Sequence, residues 1–208
     1  MSNFETEDQQ VEDLKKWWKE NGKVVIIGAV LGFGAILGGR MYMSHLETQR
    51  MEASIAFERM SMALQQQQPE TALTSGEQIV MTYPNTPYAA MASLALAKIR
   101  IDKGELEIAR NRLQWIIDHE HQPDIVHVAR LNLARVLLAE AKPDLALALL
   151  DNVDMEAYTP IYQELRGDIY LSRHQPEQAR AAYAAALEAS DENDDREVLQ
   201  MKLDDLGA

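Results

Sequence analysis

An uncharged, glycine-rich stretch from Val24 to Gly39 (VVIIGAVLGFGAILGG), closed by Lys23 on one side and Arg40 on the other, stands near the start of an otherwise polar chain. A helix of that length, at ~1.5 Å per residue, reaches about 24 Å, short of the roughly 30 Å hydrocarbon layer of a bilayer. Carrying it through Met41, Tyr42 and Met43 gives 20 residues, with the Arg40 stem able to reach the head groups and Trp17, Trp18 and Tyr42 suited to the interfaces. Residues 24–43 therefore predict one membrane span. A cleavable signal peptide also has an apolar run behind lysines. Here, however, six acids precede the run, and Gly39-Arg40-Met41-Tyr42-Met43 offers no small-x-small cleavage site. An uncleaved signal anchor is the expectation.

Orientation follows from the basic residues beside the span. Lys15, Lys16, Lys19 and Lys23 precede it, against Arg40 and Arg50 after it, which predicts a cytoplasmic N-terminus. If the membrane is a bacterial inner membrane, the rest of the chain is periplasmic. From Arg40 onward there are 27 acidic and 16 basic residues, a net charge of −11, so binding to nucleic acid or to anionic lipid by charge alone is not expected. With no cysteine, the chain has no disulfide, no thiolate metal site and no cysteine nucleophile.

Three parts are thus expected: a cytoplasmic segment over 1–23, the span over 24–43, and a domain over 44–208. In the first, Val11, Leu14 and Trp18 share a helical face, and Asn21-Gly22 offers a helix stop. A short surface-lying helix and a charged tail that only sets topology both fit this segment. Within the span, the pairs Gly28/Gly32 and Gly34/Gly38 would let another helix approach closely, although glycine is common in membrane helices generally.

Beyond the span the apolar residues follow a 3.6-residue period with few alternating runs, which predicts an all-α domain. Three stretches repeat: GELEIARNRLQWI (Gly104 to Ile116), AKPDLALALLDNV (Ala141 to Val153) and HQPEQARAAYAAA (His174 to Ala186). Aligned at Ala109, Ala146 and Ala179, they place Leu113, Leu150 and Tyr183 four residues on, and Ile116, Val153 and Ala186 three further. An earlier helix precedes each, with Leu96-Ala97, Leu133-Ala134 and Arg166-Gly167 at equivalent places. Small residues where helices cross and large ones that fill the gap are what stacked helix pairs require. A weaker unit runs from about Ala53 to Val80 with Ala72 in the small position, either a degenerate repeat or a helix leaving the membrane. Val198 to Leu206 reads as a closing helix that caps the stack.

This pattern resembles the tetratricopeptide repeat, most closely over Leu165 to Glu188, where Gly167, Tyr170, Ala179, Tyr183 and Ala186 stand in the family's positions. The first two copies lack the large aromatic early in their first helix, and the closing proline is absent or displaced. The full arrangement, with KWWKENGK entering the glycine-rich span, GGRMYMSH leaving it, and degenerate repeats ending in MKLDDL, resembles the YfgM-type family of ancillary SecYEG translocon subunits. That resemblance implies a single-pass inner-membrane protein with its repeat domain in the periplasm. It also implies association with the SecYEG translocon and with a PpiD-like membrane-anchored periplasmic chaperone, and a role in handling nascent secretory proteins.

Stacked pairs present a concave face built from their first helices, and such faces bind segments of other proteins. Counting from the aligned alanines, this face should hold Met91, Leu94 and Lys98, then Leu131, Arg135 and Leu138, then Ile161, Glu164 and Asp168. The leucines among them also fit ordinary core positions. Seven of the ten methionines lie at Met41, Met43, Met51, Met60, Met62, Met81 and Met91, which suits either an adaptable binding surface or core gap-filling.

The strongest catalytic or metal candidate is Asp118, His119, His121, Asp124 and His127, yet it lacks the i, i+4 histidine pair of a helical zinc site and reads as a polar turn around Pro123. No phosphate-cradling GxxxxGK[ST], GxGxxG or GxSxG turn occurs, and Asp191 to Asp195 reads as a charged linker. No enzyme, cofactor or metal is expected. The expected function is an adaptor and holding factor at the translocon; the alternative is a membrane-anchored scaffold for another cell-envelope complex.

Overall fold

The computed structural model describes residues 4–120, 122–151, 153, 156–190 and 196–207. The chain divides into two units, residues 1–51 and 52–208. The first unit is the larger part of one long helix, α1 (Phe4–Gln65). The most apolar window of α1 has a mean hydropathy of 2.0 with none of it buried, the length and composition of a membrane-crossing helix. Leu31 and Phe33 are both 67% exposed, where the core helix of a water-soluble domain would hide such side chains.

The expected stop at Asn21-Gly22 is not there. A glycine ends a helix when it turns left-handed; Gly22 keeps right-handed geometry, the Trp18 indole covers it, and the Asn21 amide donates to the Trp17 carbonyl at 3.1 Å. Helical hydrogen bonding therefore passes through, and α1 also continues beyond Met43.

The second unit begins with the last turns of α1. It continues through α2 (Pro69–Thr82), α3 (Pro87–Asp102), α4 (Leu106–His119), α5 (Pro123–Ala139), α6 (Pro143–Leu150), a 3-10 turn (Glu156–Tyr158), α7 (Thr159–Ser172), α8 (Pro176–Ala189) and α9 (Arg196–Asp205). No strand occurs among the described residues. Six of the seven prolines, at 69, 87, 123, 143, 160 and 176, open helices. There the fixed φ is already helical and the missing N–H has no intrahelical partner to lose.

The turns inside the pairs are one geometry used four times. Gln67, Gly104, Ala141 and His174, each five residues before Ala72, Ala109, Ala146 and Ala179, are left-handed with φ between 57° and 75°. In each, the next N–H closes on a carbonyl five residues back: Gln68 on Ala63, Glu105 on Arg100, Lys142 on Leu137 and Gln175 on Tyr170, at 2.8 to 3.0 Å. This Schellman closure satisfies carbonyls left open at the end of the first helix. Because the end of α1 and α2 share it, the segment from Ala53 to Val80 is both of the things the sequence allowed: a helix running on from the apolar stretch and the first of four helix pairs.

Packing inside each pair depends on two residues sixteen apart. Ala97 faces Leu113, Ala134 faces Leu150 and Gly167 faces Tyr183 in register, all buried. The first pair inverts this pattern, placing Met60 in the small position and Gly76 in the large one. A Cβ on Gly76 would stand 2.9 Å from Met60 Cε and 2.8 Å from Leu96 Cδ2, so the missing side chain makes the room that the methionine fills. Met60 is 0% exposed and anchors a cluster with Leu73, Ile79, Leu96 and Ile99. The central cluster joins α3 through α7, and a third one joins α8 to Leu199 of α9.

Candidate protein-binding face

The first helices lie side by side, α3 against α5 and α5 against α7, while α4 and α6 pack behind them. Repeat register then fixes which side chains each first helix turns away from its partner. Met91 and Ile161 are 39% and 40% exposed, Lys98 and Arg135 are exposed, and Leu94, Leu138, Glu164 and Asp168 are half-buried. Leu131 is the exception. At 4% exposure it belongs to the central core, packed in one cluster with side chains of α3 through α7. It is a core residue rather than a contact residue.

Sequence counting missed Val128, 39% exposed and in the same register position on α5 as Met91 on α3 and Ile161 on α7. The repeat spacing of the other two was enough to find it. It also missed the part played by α9. Lys202 reaches back to Glu164 and Asp168, 2.7 Å from each, with its ammonium 5.3 Å from the centre of the Tyr183 ring. Burial works against this ammonium, but hydrogen bonds to Asp168 and Glu164 outweigh it and hold Lys202 above the ordinary lysine range. Tyr183 donates to Asp168 at 2.7 Å, and burial, reinforced by that carboxylate, pushes its hydroxyl well above the ordinary tyrosine range. Two of the acids expected to meet a partner are thus occupied by the chain's own last helix. The carbonyls just after α9 are held as well, Arg180 donating to that of Leu206 at 2.8 Å and to that of Gly207.

The middle of the face is different. The Arg135 guanidinium donates to the Asn132 amide oxygen at 3.4 Å and has no carboxylate partner among the described residues. Lys98 pairs with Asp102 one turn along its own helix, both well exposed, an arrangement worth little in water.

The histidine and aspartate candidates do not converge. His119 stacks on Trp115 at 5.1 Å, with Nδ1 2.9 Å from the Trp115 carbonyl oxygen, and Asp118 accepts from Gln114. His127 instead stacks on Tyr158 at 4.5 Å and meets the Tyr162 hydroxyl at 2.9 Å, while Asp124 accepts from Tyr158 at 3.1 Å. These contacts tie α5 to the start of α7. Burial and then the Asp124 carboxylate raise the Tyr158 hydroxyl above its ordinary value. His121 lies outside the described residues, as do Asp191 to Asp195. Among the described residues, no group of three or more His, Asp and Glu side chains is arranged to hold a metal ion.

Of the clustered methionines, Met60 is core, while Met81 and Met91 of the second unit are exposed at 81% and 39%. Around Gly28, Gly32, Gly34 and Gly38 nothing beyond the local backbone of α1 lies within 4 Å of where a Cβ would stand, so each leaves a bare notch on α1.

The tetratricopeptide repeat-like domain family matches residues 15–208. Among curated proteins, the chain is 34% identical over 206 residues to the ancillary SecYEG translocon subunit of Escherichia coli K12, covering 99% of both chains. It is 30% identical over 205 residues to that of Neisseria gonorrhoeae (96% and 97% covered) and 28% identical over 200 residues to that of Haemophilus influenzae (96% and 97% covered). An apolar helix that runs into a stack of helix pairs, matched over 96–99% of the chain by these relatives, makes this chain a member of the tetratricopeptide repeat-like family of ancillary SecYEG translocon subunits.

Proposed function

We propose that this protein is a membrane-anchored, non-enzymatic ancillary subunit of the Sec translocon. In this reading it holds its repeat domain at the periplasmic exit and binds newly translocated proteins and a PpiD-like chaperone there. The observation that carries the reading is the match along the whole length, span and repeats together, to relatives named for that complex. The exposed apolar row on the first helices supports contact with protein segments, since such patches on repeat domains commonly serve as binding surfaces. The single apolar helix near the N-terminus fits a single-pass inner-membrane protein, and the lysines before it favour a cytoplasmic N-terminus.

The test is photocrosslinking in intact cells from a probe at Arg135, and separately at Val128, in the full-length chain. Adducts to translocon subunits, to a periplasmic chaperone and to many secretory chains are the expected result. One dominant adduct to an unrelated envelope protein would favour the scaffold function, and silence at both positions would remove the first-helix face from the account. The chain has no cysteine, so single cysteines placed at Ser2 and Gly207 report orientation. The proposal requires that a membrane-impermeant thiol reagent added outside spheroplasts labels only the second.

A further inference from the structure

Resting on the first-helix face as a protein-binding surface, we infer that its preferred occupant is a segment carrying an apolar residue and a carboxylate about 10 Å apart, the apolar group on Val128 and the acid on Arg135. Three observations lead there. Met91, Val128 and Ile161 form an apolar row at one register position of three neighbouring first helices, each about two-fifths exposed. Seven residues further along each helix comes a charge: Lys98, Arg135 and Asp168. The third of these is neutralised by Lys202, and the first is shared with Asp102. Arg135 alone of the three has no ion-pair partner among the described residues.

An unpaired guanidinium beside an apolar row, on a domain whose net charge is strongly negative, selects by sign. A basic segment is drawn by the domain as a whole but repelled by Arg135 at contact, where a screening length of about 8 Å at physiological salt lets the nearest charge decide. An acidic segment is repelled by the domain but gains a planar, two-pronged partner at the end of the apolar row. Specificity of this kind comes as much from the segments it turns away as from the ones it holds. Seven residues of helix span about 10.5 Å. The occupant therefore carries its two groups seven residues apart if helical, or three apart if extended at about 3.3 Å per residue.

The experiment uses full-length protein in detergent micelles and labelled synthetic peptides of both spacings. Each has a leucine and a glutamate, with matched versions in which the glutamate is replaced by glutamine or lysine. Glutamate peptides should bind about fivefold tighter than their lysine versions, a preference that shrinks in high salt, as expected for an exposed pair. Arg135→Glu should invert the order. An unchanged order in Arg135→Glu, or a lysine preference in the native chain, would overturn the inference. If peptides crosslink to a probe at Val128 with no charge preference, the inference fails while the binding face stands. If no peptide binds and the in-cell probes are silent, both fail.

Discussion

Substituting Gly167 by alanine puts the helix-pair packing to a quantitative test. A Cβ there would stand 2.8 Å from Cζ of Tyr183 and nearer still to Cε1 and Cδ1. The ring cannot step aside cheaply: Tyr183 is 1% exposed, and its hydroxyl donates to Asp168 at 2.7 Å. Forcing a methyl into a filled site costs about 1–3 kcal/mol. Replacing glycine inside a helix returns up to about 1 kcal/mol through propensity. The net expectation is a loss of about 1–2 kcal/mol, or roughly 3–6 °C in Tm for a domain of this size.

The other pairs supply the remedy. Ala97 with Leu113 and Ala134 with Leu150 occupy the same two positions, so Gly167→Ala combined with Tyr183→Leu rebuilds a combination this fold already uses. Tyr183→Leu alone opens a void opposite Gly167 and should also destabilise. The double variant should therefore be more stable than the two losses added together, by about 1 kcal/mol or more. Thermal and denaturant unfolding of all four proteins in one detergent complete the cycle. A neutral or stabilising Gly167→Ala, or strict additivity, would refute the argument. Gly76→Ala offers a graded comparison: a Cβ there meets Leu96 Cδ2 at 2.8 Å and the flexible terminal methyl of Met60 at 2.9 Å, less tightly than Gly167 meets the Tyr183 ring, so its cost should be smaller.

Ala141 and His174 hold left-handed backbone at φ 57° and 58°, so glycine at either should raise stability by about 0.5 kcal/mol after the extra freedom of the unfolded chain is counted. A fall in Tm would contradict this. Lys202→Ala leaves Glu164 and Asp168 facing each other without a cation and should loosen α9; hydrogen exchange across residues 196–207 should quicken while that of α3 and α4 is unchanged. The Glu140 carboxyl lies below its ordinary 4.5 because Lys142 donates to it, with Arg110 nearby. Its contribution is complete above that ordinary value and disappears as pH falls through the lower folded one, so an NMR titration of Lys142→Ala should bring the Glu140 midpoint back up.

Much of this fold is written in apolar spacing, because helix pairing needs a small residue against a large one at fixed separation. Ala97/Leu113, Ala134/Leu150 and Gly167/Tyr183 announce that rule, and three pairs were legible for that reason. The first pair was obscured because Met60 and Gly76 keep the combined volume but exchange the roles. Packing responds to the sum of two side chains, whereas an alignment compares one position at a time. The turns were hidden in a similar way. Only Gly104 advertises a left-handed residue, while Gln67, Ala141 and His174 adopt the same conformation because the closure hydrogen bonds and the packed helices on either side enforce it.

The candidate face was legible to the extent that it is periodic. A residue's direction on a first helix follows from its distance to the aligned alanine, and Met91, Lys98, Arg135 and Ile161, found by that count, are exposed. Direction does not decide exposure, however, since exposure depends on the neighbouring helix too. Leu131 and Leu94 hold equivalent positions, yet Leu131 is buried in the central cluster while Leu94 is only partly buried against it. The charges show the same dependence more sharply. Asp168 and Arg135 are equivalent by register, but a lysine 34 residues further along the chain neutralises the aspartate, and among the described residues no ion-pair partner reaches the arginine. Which charge stays available to a partner is therefore decided by where α9 docks, and α9, as the helix that ends the stack, has no copy elsewhere in the repeat from which its position could be read.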